Sequence, residues 1–181
     1  MRLAFLALTL FACVPGSVRA QEVRSIEIVE YGIYTADITS TERLPNGLES
    51  NTLANICHVA TSMTVPAKLG VHFGFRYRVD GASAGQVVEI RKVVQFPTSI
   101  TPRGTQRPVA AYEHTSKRQV GATSFTGYGF DHPHELVQGS WTFQIWHEQR
   151  KHAELVFTAA DPAGLSFPSA ANSRCFQVSK L

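Results

Sequence analysis

Apolar and polar side chains alternate with a period of two along residues 139–159. Trp141, Phe143 and Ile145 fall on one side, and Thr142, Gln144 and Trp146 on the other. After a polar tip, Glu148-Gln149-Arg150-Lys151, the residues Ala153, Leu155 and Phe157 alternate with His152, Glu154 and Thr158. Alternation about a short polar break predicts a β-hairpin with one buried face. Gly139 marks its start and Asp161-Pro162 its close. Burial sets the register. A two-residue turn at Gln149-Arg150 would oppose His147 to His152, but it would turn Leu155 and Phe157 away from Trp141, Phe143 and Ile145. A slip of one residue pairs Phe143 with Leu155 or Phe157, and burying even two such side chains is worth roughly 3 to 6 kcal/mol. The loop is therefore expected to hold an odd number of residues. His147 and His152 then point to opposite faces unless a bulge intervenes.

The same reading runs along the rest of the chain. Residues 23–38 open with Ile26 and Ile28 against Ser25 and Glu27 and predict a strand with a bulge or bend at Gly32. Residues 39–50 are polar, with a turn at Pro45-Asn46-Gly47. Residues 51–64 are ambiguous, since Leu53, Ile56 and Val59 suit a helix whereas Thr61, Thr64 and Val65 favour a strand. Residues 71–79 predict a strong strand, with Val71, Phe73, Phe75, Tyr77 and Val79 facing away from His72, Gly74, Arg76 and Arg78. Residues 86–96 predict the next, with Val88, Ile90, Lys92 and Val94 on one side, ended by Pro97. These two are read as a second hairpin. Residues 98–111 read as an exposed loop. Residues 112–128 read as one or two edge strands, clearest over 118–125, and 127–134 as an irregular corner. A final strand is expected near Phe176 and Val178. About seven short strands with turn signals roughly every ten residues predict an antiparallel β-sandwich, with an open barrel as the alternative.

The amino terminus changes how the composition reads. Arg2, the apolar run of residues 3–12, the break at Pro15-Gly16 and the small residues before Gln21 match a secretory signal peptide over residues 1–20. The apolar run is too short to span a bilayer. Leu10-Phe11-Ala12-Cys13 faintly resembles a lipoprotein cleavage box, so lipid anchoring at Cys13 is a lesser alternative. Export to the periplasm or medium is the expectation. Loss of Arg2 and Arg19 lowers the basic residues from 17 to 15 against 14 acidic. No basic run remains, which argues against nucleic acid and anionic membrane surfaces as partners. Of three cysteines, Cys57 and Cys175 survive cleavage. In an oxidising compartment such a pair predicts a disulfide, worth about 4 kcal/mol by loop closure, with two free buried thiols as the alternative.

Three segments carry a family resemblance: Phe73-Gly74-Phe75-Arg76-Tyr77, Val93-Val94-Gln95-Phe96-Pro97, and Gly139-Ser140-Trp141-Thr142-Phe143-Gln144-Ile145-Trp146. Together they resemble an uncharacterised family of bacterial exported proteins classed as a domain of unknown function. The resemblance implies an immunoglobulin-like sandwich, placed here at residues 21–159 after the signal peptide, with a tail at 160–181 beyond it. It brings no catalytic motif.

The chemistry that the residues offer is thin. His132 and His134, stiffened by Pro133 within Asp131-His132-Pro133-His134-Glu135, are candidate metal ligands without further ligands fixed by spacing. Gly-x-Ser-x-Gly, phosphate loops and dinucleotide fingerprints are absent from the sequence. His72, Arg76, Arg78, Arg91 and Lys92 could form a weakly basic face for an acidic partner or an ordinary solvated face. Trp146 lies off the apolar face of its strand, either exposed for binding or covered by the carboxyl-terminal tail. The expected function is a non-catalytic binding module, without a cofactor, for a protein or envelope component. Its interaction surface would include Trp146, Arg76 and Arg78. A metal-binding protein using His132 and His134 is the alternative, and a hydrolase the second alternative.

Overall fold

A computed structural model describes residues 23–81, 83–163, 165 and 174–176. The expected signal peptide with Cys13, and most of the tail including Val178, lie outside the described residues. Ten strands form: β1 (Val23–Arg43), β2 (Glu49–Ala60), β3 (Thr64–Pro66), β4 (His72–Gly81), β5 (Val87–Ile100), β6 (Val109–Gln119), β7 (Thr123–Gly129), β8 (Gly139–His147), β9 (Arg150–Ala160) and β10 (Arg174–Phe176). Among the described residues one 3-10 turn, Pro133–Glu135, interrupts them. One sheet has the order β10-β2-β1-β4-β7 and the other β3-β9-β8-β5-β6. Their apolar faces pack together as a sandwich. Phe73, Phe75, Tyr77 and Val79 of β4 meet Trp141, Phe143 and Ile145 of β8, all wholly buried. The Phe73 ring lies 5.1 to 5.6 Å from the rings of Phe130, Trp141, Phe143 and Phe157. Each such pair adds about 0.5–1.5 kcal/mol to simple burial.

The β8–β9 hairpin keeps the register that burial requires, with Phe143 opposite Leu155 and Trp141 opposite Phe157. Its loop does not hold an odd number of residues. His147 pairs with Arg150 across the two-residue turn Glu148-Gln149, and the pairing shifts between Ile145 and Trp146, leaving His152 as a bulge. Glu148 takes φ 52°, the left-handed backbone that tight hairpin turns need. The bulge supplies the one-residue offset that the core demands, so the tight turn and the buried face coexist.

Residues 71–79 and 86–96 do not form a hairpin. β4 pairs with β1 and β7, whereas β5 pairs with β6 and β8. The connection from Gly81 to Val87 crosses the roughly 10 Å between sheets, so the two apolar faces stack instead of lying side by side. β5 also continues past Pro97, which falls in the register shift between Gln95 and Ile100, where no ladder N–H is required. The polar residues 39–50 are mostly strand. Thr39 and Thr41 belong to an arm of β1 paired with the start of β2, and the turn is confined to the segment after Arg43. The arm lacks alternation because both of its faces are largely solvated. Likewise 118–125 is a junction. Gly121, with φ 87°, turns the chain from β6, at the edge of one sheet, to β7, at the edge of the other.

Candidate functional site

The bulge at His152 decides how the hairpin tip looks. It brings the ring of His152 to 6.3 Å from that of His147, although unbroken pairing would have separated them. His147 is buried, and its Nδ1 lies 2.9 Å from the carbonyl oxygen of Glu89. Burial, then Arg150 and His147, hold the His152 imidazole below its usual pKa.

The Asp131–Glu135 corner is a clasp. Glu135 is buried; its carboxylate accepts from the backbone N–H groups of Asp131 and His132, both at 2.8 Å, and from the Tyr128 hydroxyl at 2.9 Å. Those bonds fix the 3-10 turn as a capping box does. Asp131 accepts from Asn51 Nδ2 at 2.8 Å and faces His72 Nε2 at 4.0 Å. His132 Nε2 lies 3.0 Å from a Glu49 carboxylate oxygen, and the hydrogen bond to Glu49 raises its pKa. His72 is shifted the other way: burial lowers its pKa against the pull of Asp131. A cavity of about 70 Å³ opens here, lined by Asn51, His72, Tyr112, Asp131 and His132 among others. The rings of His132 and His134 stack at 5.4 Å, nearly parallel. Among the described residues no three His, Cys, Asp or Glu side chains converge as a metal's ligand set.

The residues expected to share one interaction surface are divided between opposite sides of the molecule. Arg76 and Arg78 lie on the outer face of β4. Arg76 sits 3.8 Å from Glu30, with its guanidinium 4.1 Å from the ring of Phe176. Arg78 pairs with Glu27 and, at 3.5 Å, with Asp80. Glu30 also receives the Tyr34 hydroxyl at 3.4 Å and faces His58 at 3.9 Å. β10 pairs with the edge of β2 and is tied there by the Cys57–Cys175 disulfide, Cys175 lying directly across from Cys57, so that the Phe176 ring reaches Arg76 and Tyr34. The Tyr34 hydroxyl is pushed far above its ordinary pKa, mostly by burial. Of the two readings of His72, Arg76, Arg78, Arg91 and Lys92, a single basic face is ruled out, because Arg91 is on the other sheet and Lys92 points between the sheets.

Trp146 stands on the outer face of the β3-β9-β8-β5-β6 sheet, away from the described part of the tail. It is half-buried. Its indole N–H donates to Gln144 Oε1 at 3.0 Å, and Gln144 in turn donates to Glu154 at 2.9 Å. The Arg91 guanidinium lies 4.8 Å from its ring centroid, with Glu113 at 3.5 Å on the far side. Arg91 is opposite Trp146 in the β5–β8 ladder, so the stack follows from cross-strand pairing. Sequence reasoning found Trp146 but not its partner, which only the register supplies.

Two five-stranded sheets packed on an aromatic core define an immunoglobulin-like sandwich. The crystal structure of an immunoglobulin-like protein from Pseudomonas aeruginosa matches with a TM-score of 0.52 and 25% identity, covering 75% of this chain and 96% of that one. The chain belongs to a family described as a domain of unknown function, DUF3859, whose family model matches residues 22–159. No curated protein matches the chain. Among the described residues no helix is long and apolar enough to cross a membrane.

Proposed function

We propose that the chain is an exported, non-catalytic binding module that recognises a protein component of the envelope through the outer face of β5, β8 and β9. The observation that carries this is the Trp146–Arg91 stack. Trp and Arg are the residue types that dominate interface energetics, and both are already held in place by Gln144 and Glu113. A side chain ordered before binding loses little freedom on binding. Val87 and Val156 add exposed apolar surface on the same sheet. The disulfide supports the exported part of the reading, since such bridges persist in oxidising compartments.

The test is capture from envelope extracts of the native host with the mature chain as bait, beside Trp146→Ala and Arg91→Ala variants. A partner retained by the parent chain and lost from both variants is expected. Equal capture by all three would remove this face from the reading. Zinc or copper titration of a His132→Ala, His134→Ala double variant separates the metal alternative: metal binding by the parent chain that the variant loses would favour it.

A further inference from the structure

Lys92 breaks the apolar row of β5. Val88, Ile90 and Val94 beside it are buried in the core, and Lys92 points inward with them. It lies where the sandwich opens, between the edge strands β6 and β7. Opposite it on β6 is His114, followed along the same face by Ser116 and Arg118. From the facing sheet come the hydroxyl of Tyr77 on β4 and its ladder partner Ser124 on β7. Lys92 Nζ donates one hydrogen bond, to the Phe125 carbonyl at 3.2 Å. Arg118 donates through one terminal nitrogen to the Lys117 carbonyl at 2.6 Å.

Among the described residues, Tyr77 Oη, Ser116 Oγ and Arg118 Nε are buried without a hydrogen-bond partner of full geometry. Tyr77 is wholly buried, and its hydroxyl has the Arg118 and Ser124 side chains beside it. An unmade buried hydrogen bond is costly, and an uncompensated buried charge costs more. The charged members of the cluster are all cationic. Arg118 Nε and the Lys92 ammonium can only donate, whereas the hydroxyls of Tyr77 and Ser116 can donate as well as accept. The carboxylate felt here is Glu42, which acts on His114 and is itself exposed. What the cluster lacks is an acceptor carrying negative charge.

We propose that this cluster binds a tetrahedral oxyanion of the phosphate or sulfate class, held by Lys92, Arg118 and the hydroxyls of Tyr77 and Ser116. The shape follows from the donors' origins. They come from β4, β5 and β6, on both sheets, and so approach from several directions; a tetrahedral anion offers acceptors in all of them, whereas a carboxylate offers two in one plane. Lys92, His114, Ser116 and Arg118 are each partly exposed, which gives an ion a way in from the open edge. This site is separate from the Trp146 face and does not depend on it.

The experiment is calorimetric titration of the mature, oxidised chain with inorganic phosphate and, separately, inorganic sulfate. One saturable site per chain is expected, weakened at least tenfold in Lys92→Met and in Arg118→Gln. Thermal melting keeps the test independent of folding failure. Removing a buried cation should leave Lys92→Met at least as stable as the parent without added anion, while added phosphate raises the melting temperature of the parent and not of the variants. Sulfate keeps its charge over the working range, so its pH profile reads the protein. Burial, then Arg118, lowers the Lys92 pKa to about 7, so sulfate affinity should fall as pH rises through that region. Across that window the groups facing Lys92 are His114 and Arg118 on β6, Tyr77 on β4 and Ser124 on β7. Absence of a saturable site for either ion, or binding undiminished in both variants, overturns the proposal. Acetate binding as strong as sulfate overturns the tetrahedral assignment.

Discussion

Gly32 lies on β1 opposite Gly74 of β4, one residue before the pairing with β2 shifts at Ile33. Its φ is 142°, and a Cβ there would come 1.9 Å from the Ala60 carbonyl oxygen. Gly70, with φ 80°, meets nothing within 4 Å. Gly32→Ala should therefore cost about 1–3 kcal/mol in urea unfolding, more than Gly70→Ala, because it adds a clash to the backbone strain. Equal losses would mean that the Ala60 carbonyl moves aside freely. The alternation of side chains made the apolar face of Trp141, Phe143 and Ile145 legible, whereas the irregularities of β1 fall at Ile28–Glu30 and Ile33–Tyr34 and not at Gly32 itself. It also placed Lys92 on the side of Val88, Ile90 and Val94. What it could not convey was that this side opens at an edge, because alternation records a face and not the strand's distance from the sheet's rim.

At the scale of elements, the β1–β2 arm is fastened to the Asp131–Glu135 corner by Asn51 on Asp131 and Glu49 on His132. The hydrogen bond to Glu49 raises the folded-state pKa of His132. That contact therefore stabilises fully below the unfolded value near 6.5 and fades as pH rises through the folded value. Parent and Glu49→Gln chains should differ most in melting temperature near pH 5.5 and converge at high pH. A difference that grows with pH would contradict the clasp. The β4–β5 connection shows why pairing was less legible than strand existence. Phe73, Phe75, Val88 and Ile90 mark two one-sided strands, but the same pattern serves a hairpin and a face-to-face pair. The His152 bulge was hidden for a similar reason: the core register was readable from Phe143 and Leu155, whereas the turn chemistry that makes Glu148-Gln149 a tight loop leaves little trace in composition.

For the whole molecule, the sandwich and the Cys57–Cys175 bridge were readable because hydrophobic layers and cysteine pairing follow from few rules. The candidate sites were less so, since the Trp146–Arg91 and Lys92–Arg118 groups are assembled across strands that are distant in sequence. The bridge closes a loop over a sequence separation of 118 residues. By chain entropy, Cys57→Ser with Cys175→Ser should lower unfolding free energy by about 5 kcal/mol, measured in urea, whereas a loss under about 1 kcal/mol would mean the tail adds nothing to the fold. The bridge has a second consequence. β10 is three residues long and lies along Ile56–His58, at the outer rim of its sheet. A strand that short has little hold of its own, and an uncovered rim is a template on which other chains polymerise. Tethered in place, β10 covers the Ile56–His58 stretch of that rim, so the disulfide shields part of an edge as well as cross-linking the chain.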